Sequence, residues 1–278
     1  MSSWDLVSRG AKVPVGIIGG SGLCTFSELP VLDKKRPATP YGFPSDDLVI
    51  SEYEGQPLVF LPRHGSGHVF PPHRIPYKAN LIAMRQLGVR HVVSSCVAGS
   101  LKAEIPPGSF VIPDQFVNLT WGRDDTWREG ENFTHLPMGN PYCAAMRELL
   151  LSASRNTGVS AQDGGTIAVI QGPRFSTKAE SCWFMRNGWD LVNMTQYPEC
   201  YFARELGICY AVLTAVTDYD VGLPSALSMN PQNMDKILAI FHENVRMTKQ
   251  ILLQAAQIAR EATDCRCVRE ETLEYYRR

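Results

Sequence analysis

No run of about 18 uncharged apolar residues occurs in the chain, so no membrane-crossing helix is expected. The first twelve residues hold Asp5, Arg9 and Lys12 and none of the apolar stretch that an export signal needs, which points to a cytoplasmic protein. Charge of one sign is also missing. Over 278 residues, 27 Lys and Arg stand against 28 Asp and Glu, a formal net charge of -1. Without a sustained basic field no electrostatic term would hold the chain on nucleic acid or an anionic bilayer, and neither partner is expected. Linkers, repeats and low-complexity segments are absent too, so residues 1–278 read as one domain, with a core over about residues 13–262 and a tail at 263–278. The eight cysteines, at 24, 96, 143, 182, 200, 209, 265 and 267, lack the density of a small disulfide-stapled fold, and reduced thiols are expected. Cys265-Arg266-Cys267 is by itself too short for a zinc site, which takes about four ligands, and no metal is expected.

What is present is the makeup of an ordinary globular core, 44% hydrophobic and 20% charged. Val13 to Ile18 is an apolar run that stops at Gly19-Gly20-Ser21-Gly22, as a buried strand feeding a turn would. Leu48 to Ser51 and Pro57 to Leu61 flank Glu54-Gly55 as a hairpin. Thereafter helical stretches closed by glycine alternate with β-branched runs. Tyr77 to Leu87 leads into Val89 to Ser95, Tyr142 to Asn156 into Thr166 to Ile170, Thr177 to Asn187 into Asp190 to Met194, and Pro198 to Leu206 into Ile208 to Thr217. That alternation predicts an α/β fold with a sheet covered by helices on both faces. After Asn230-Pro231, apolar residues from Met234 to Ile258 keep helical spacing and predict one long last helix. Gly122 to Asn140 is polar and irregular, a loop for function or for an interface.

Four places carry chemistry. The turn Gly19 to Gly22 fails the dinucleotide fingerprint, because Gly20-Ser21-Gly22-Leu23-Cys24-Thr25 ends in Thr, and it lacks the Lys of a phosphate-binding P-loop. It remains either a plain tight turn or a cradle of N–H groups and the Ser21 hydroxyl around an anion. Arg63-His64-Gly65 ends a strand with a fixed cation beside an imidazole, a combination suited to phosphate; a structural pair, or a metal site with His68 and His73, ranks lower. Thr177 and Glu180 form a capping box, which leaves Phe175 in the loop before it, either in the core or stacked on a base. Asp218 and Asp220 follow an apolar strand at the end where α/β sheets bind ligands, as a helix cap plus a neighbour or as an acid and acceptor pair.

Taken together these residues resemble the trimeric purine nucleoside phosphorylases, and among them the branch acting on 5'-methylthioadenosine. The likeness runs from about Val15 to about Leu252. It rests on Gly16 to Leu23, Pro62 to Gly65, Ala98 to Leu101, Pro107 to Ile112, Gly172 to Thr177, Asn193 to Thr195 and Thr217 to Asp220, in that order. The resemblance implies a single-domain mixed sheet flanked by helices. It also implies a homotrimer and a transfer of the pentosyl group from purine to phosphate, with inorganic phosphate as co-substrate and no cofactor. Ser21, Arg63, His64, Thr195 and the Val97 backbone would hold phosphate. Cys96 stands where the family carries a Thr or Asn side chain; its thiol is a weak donor, so phosphate affinity is either lowered or compensated by Ser95. Met194 would support the ribose and Phe175 the purine. Asp218 would donate to N7 if its pKa rises through burial and the neighbouring Asp220, and Asp220 would accept from the 6-amino group. Ser176 and Asp218, in place of the Glu and Asn of the 6-oxopurine branch, favour adenine. Met234, Ile237 and Leu238, with His135 of a neighbouring subunit, would meet the 5' end. The competing expectations are a 6-oxopurine or methylthioinosine phosphorylase, a phosphorylase of adenosine or another 5'-modified adenosine, a hydrolytic nucleosidase, and a nucleoside-binding protein without turnover.

Overall fold

The computed structural model describes residues 12–126, 135–223, 234–259 and 265. The first half of the chain contains β1 (Val15–Gly19), β2 (Asp33–Lys35), β3 (Leu48–Tyr53), β4 (Gln56–Pro62), α1 (Tyr77–Gln86), β5 (His91–Ser100), β6 (Phe110–Ile112) and β7 (Gln115–Leu119). The second contains α2 (Ala144–Asn156), β8 (Ala161–Asp163), β9 (Thr166–Ile170), α3 (Lys178–Arg186), β10 (Leu191–Asn193), α4 (Gln196–Glu205), β11 (Cys209–Tyr219) and α5 (Met234–Ile258). Among the described residues no helix is long and apolar enough to cross a membrane.

The wholly buried β1 lies between β4 and β5, parallel to both, as strands covered on each face do. β3 returns antiparallel on β4 through Glu54-Gly55, whose φ of 50° and 73° suit a tight hairpin. β5 is the hub of the sheet. Its first residues pair with β1, its last two pair antiparallel with β10, and β11 runs parallel along its whole length. β9 and β7 extend the sheet beyond β10, while β6 and β8 extend it beyond β11. The sheet is therefore mixed.

Side chains of β11 alternate as the period of a strand requires. Cys209, Ala211, Leu213 and Ala215 join a cluster with Leu150 of α2 and Leu252 of α5, whereas Tyr210 and Val212 join Leu81 of α1 and Phe202 of α4. Helices thus cover both faces, the expected α/β architecture. The alternation breaks once. Val216 lies opposite Ala98 but Asp218 lies opposite Gly99, so Thr217 is an extra residue, a bulge at the carboxyl end of the strand.

Element edges depart from the sequence expectations for identifiable reasons. β5 continues five residues past Ser95 because β10 and β11 clamp a stretch whose Gly99 and Ser100 have little strand propensity. α2 starts at Ala144, two residues after the expected Tyr142. α4 starts earlier, at Gln196, and is interrupted at Tyr197 (φ -111°, ψ 135°), the residue before Pro198, where a proline ring disfavours helix. β11 extends to Tyr219, so Asp218 sits on the strand and caps no helix there. β2, β6, β7 and β8 were not anticipated: β2 and β8 are short and largely polar, β6 has only three residues, and β7 interrupts its apolar residues with Asn118. Pro231, part of the loop from Gly122 to Asn140, Cys267 and most of the tail lie outside the described residues.

Candidate active site

A cleft of about 580 Å³ opens at the carboxyl ends of β1, β4, β10 and β11. At one end the turn after β1 lies directly on β5. The Gly20 N–H donates to Ser95 Oγ at 3.1 Å, and a Cβ on Gly20 would stand 2.5 Å from the Ser95 carbonyl, so only glycine lets Ser21 approach the strand. Gly22 has φ +79°, and a Cβ there would strike the Phe241 ring of α5 at 2.5 Å.

Arg63, one residue past β4, is 1% exposed. Its Nε and Nη2 form a fork on Glu199 of α4 at 2.6 and 2.8 Å, Nη2 also donates to Ser94 Oγ, and Nη1 donates to the Ser95 carbonyl at 2.8 Å. Four of the five guanidinium N–H groups are thus committed, leaving one on Nη1. Burial opposes the charge, but the Glu199 carboxylate outweighs it and holds Arg63 protonated above its ordinary range. Glu199 also accepts from Tyr210 Oη at 2.7 Å. Sequence reasoning missed Glu199; the available signal was a lone acid in the apolar stretch Tyr197 to Phe202, since a buried carboxylate requires a partner.

His64 Nδ1 lies 2.9 Å from the Phe70 carbonyl, which only accepts, so Nδ1 carries the proton. Burial and the adjacent Arg63 push the imidazole down to about 4, which leaves Nε2 an open acceptor at neutral pH. His68 stacks on it at 4.0 Å between ring centroids. Cys96 is bound sideways: Sγ lies 3.3 Å from both Thr214 Oγ1 and Asn193 Nδ2. Thr195, at the start of α4, makes no capping bond with its side chain and lines the cleft together with Val97.

The opposite end holds Asp218 and Asp220, both buried. Burial drives Asp218 up to about 7 against the Thr217 hydroxyl, which donates to it at 2.7 Å, and Asp220 raises it further. Burial also raises Asp220, offset in part by the Ser181 hydroxyl, the Val221 N–H and the Ser176 hydroxyl. Asp220 Oδ2 and Ser176 Oγ are buried and make no hydrogen bond of good geometry. Polar atoms left in this state are rare in protein interiors and mark a place a ligand completes. Phe175 is 58% exposed at the rim, its loop held by the capping box of Thr177 and Glu180. Met194 packs on Gly172, where a Cβ would stand 2.6 Å from its sulfur.

Arg123, a second residue missed in the sequence, braces this corner. It donates to the carbonyls of Tyr197 (2.6 Å), Gln171 (2.8 Å) and Met194 (2.9 Å). Its setting in an irregular stretch offered no signal. Met234, Ile237 and Leu238 of α5 form the third wall with Phe241, Ile237 being buried and Met234 and Leu238 partly open. The expected residues therefore converge on one cleft, with one exception: His135 is exposed and does not line the cleft of its own chain.

An anion end, a base-sized end with two carboxyls and an apolar third wall, set in a mixed α/β sheet, define a nucleoside-processing class of protein. The phosphorylase superfamily model matches residues 14–257, and the chain belongs to that family. The chain is 43% identical to an S-methyl-5'-thioadenosine phosphorylase of Mycolicibacterium smegmatis, over 90% of this chain and 94% of that one. It is 42% identical to a purine nucleoside phosphorylase of Streptomyces coelicolor, over 92% and 93%. A solved methylthioadenosine phosphorylase from Schistosoma mansoni in complex with adenine superposes with a TM-score of 0.86 at 34% identity, covering 95% of this chain and 96% of that chain.

Proposed function

We propose that the protein cleaves 5'-methylthioadenosine with inorganic phosphate, releasing adenine and 5-methylthioribose 1-phosphate. The observation that carries this reading is the pairing, in one cleft, of a carboxyl titrating near 7 (Asp218) with an acceptor left open (Asp220 Oδ2), facing the Arg63 and His64 end. Phosphate enters as a dianion carrying one hydroxyl. That hydroxyl donates to His64 Nε2, while Ser21, Thr195, the remaining Arg63 N–H and the Val97 backbone hold the bare oxygens toward the anomeric carbon. As the C1'–N9 bond breaks, the phosphate charge stabilises the oxocarbenium-like sugar, and Met194 supports the ribose. Protonated Asp218 gives its proton to N7 of the departing purine, and Asp220 accepts from the 6-amino group while Phe175 covers the ring.

A 6-oxopurine would set a carbonyl against the Asp220 carboxylate, two acceptors face to face, and is rejected. Ile237, Leu238 and Met234 give a thioether an apolar seat and would leave a 5'-hydroxyl without a partner. No cofactor takes part. The active form is a cytoplasmic homotrimer in which His135 of a neighbouring subunit closes the 5' end, and nucleic acid and membranes are not partners. The test is a panel of methylthioadenosine, adenosine, methylthioinosine and inosine with and without phosphate. Phosphate-dependent release of adenine, fastest from methylthioadenosine, is expected; release that is independent of phosphate, or equal for the inosine analogues, would overturn the reading.

A further inference from the structure

Three sulfurs that the sequence scatters over residues 143 to 265 meet at the amino-terminal ends of β5 and β11, the end of the sheet opposite the cleft. Cys143, Cys209 and Cys265 place their Sγ atoms all within 4.8 Å of one another, and Cys143 Sγ lies 3.2 Å from Cys265 Sγ. None of the described cysteines is in a disulfide. Two of the three sit on rigid backbone: the Cys143 N–H donates to the Tyr210 carbonyl and the Cys209 N–H to the Arg90 carbonyl, each at 2.9 Å. Cys143 is also the N-cap residue of α2, and its side chain makes no capping bond to the helix, so its sulfur is directed to the other two.

From this convergence we propose that Cys143, Cys209 and Cys265 supply three thiolates to one thiophilic cation of the zinc type, with water completing the coordination. Metal–sulfur bonds of about 2.3 Å set thiolates about 3.8 Å apart around a tetrahedral ion and about 4.0 Å apart around a trigonal one, within the range the three sulfurs span. A disulfide would need one pair to close to about 2.05 Å and would leave the third sulfur without a role. On binding, the three thiols lose their protons to solvent as three metal–sulfur bonds form, so affinity rises with pH. Residues Cys209 to Asp218 span roughly 30 Å of strand at about 3.3 Å per residue, which separates this ion from the chemistry of the cleft. Its role is to fasten the segment after α5 to the start of α2 and the edge of β11.

The test uses the full chain, reduced and stripped with a chelator, then titrated with Co(II) as a spectroscopic probe and Zn(II) as competitor. A sulfur-to-cobalt charge-transfer band saturating at one ion per chain, displaced by Zn(II), lost in C265S and kept in C182S, is expected. C265S is the decisive variant because Cys265 is only half-buried beyond α5, and its circular dichroism and phosphorolysis report whether the fold is intact. No band in the wild-type chain, a band that survives C265S, or peptide maps that find Cys143 and Cys265 joined as a disulfide in the reduced and metal-loaded protein would overturn the proposal.

Discussion

The two ends of the cleft are built on opposite plans. At the Arg63 end the charges are completed by the protein itself: Arg63 spends four of its five N–H groups on Glu199, Ser94 and Ser95, and Glu199 takes a further bond from Tyr210. At the Asp218 and Asp220 end the protein leaves its groups incomplete, with Asp220 Oδ2 and Ser176 Oγ making no hydrogen bond of good geometry and Asp218 balanced near neutrality. A fully bonded cation holds its position before the anion arrives and costs no reorganisation when it does. An unfinished acceptor stores a penalty that only the right base relieves, which makes it the better reader of identity. On the function proposed above, rigidity sits where the ligand is always phosphate, and incompleteness where bases must be told apart.

The sharpest way to break this contrast is to remove the acid. D218A is expected to lower kcat by about 10²–10⁴, the usual contribution of a positioned general acid. In the wild type, Asp218 must be protonated while phosphate must be a dianion, which it becomes only near neutrality. Consequently kcat/KM should peak close to pH 7, rising into the peak with the ionisation of phosphate and falling beyond it as Asp218 ionises. D218N, which donates at any pH, should lose that alkaline limb; a limb unchanged in D218N would assign it to another group. At the other end the cost should appear in stability first. E199A leaves a buried guanidinium unpaired and should destabilise the fold by about 3–5 kcal/mol in denaturant titrations, while R63A should also weaken phosphate use far more than nucleoside binding. If E199A unfolds like the wild type, the fixed-cation plan is wrong.

A subtler perturbation probes the reader. D220N should narrow the ratio of kcat/KM between methylthioadenosine and methylthioinosine by one to two decades, corresponding to about 1.5–3 kcal/mol for a hydrogen bond to a charged group. An unchanged ratio would move the reading of the 6-position to another residue. The smallest effect is expected for C96T, which replaces a thiol bound sideways by Thr214 and Asn193 with a stronger donor. Phosphate KM should fall severalfold, the worth of about 0.5–1.5 kcal/mol for one neutral hydrogen bond, with nucleoside KM unaffected.

The same contrast explains what could be read from sequence. Strands such as β1, β4 and β11 announce themselves because burial on both faces demands an apolar run, and the ends of those runs, at Gly19, Arg63 and Asp218, are where the cleft opens. The helix cap at Thr177 and Glu180 is local and was legible for that reason. Glu199 was not, since its partner Arg63 is 136 residues away and the pairing exists only once α4 lies on the sheet. Arg123 bonds to carbonyls, which every residue has, so no side-chain pattern marks its targets. Cys143, Cys209 and Cys265 meet through β11 and α2, and counting ligands along the chain could find only the pair at 265 and 267.

The extra residue in β11 makes strand pairing itself a determinant of where the Asp218 carboxyl stands. Up to Val216 the strand obeys parity, with odd residues toward α2 and α5 and even residues away, and the place opposite Gly99 belongs to the odd set. Thr217 shifts the count by one and seats an even-numbered carboxyl there. Were Thr217 paired opposite Gly99 as in an unbroken strand, Asp218 would fall opposite Ser100 and face the other side of the sheet with every side chain of the chain unchanged. The position of this carboxyl is set by how the strand pairs as much as by which residue stands there, a dependence that no comparison of residue types would flag.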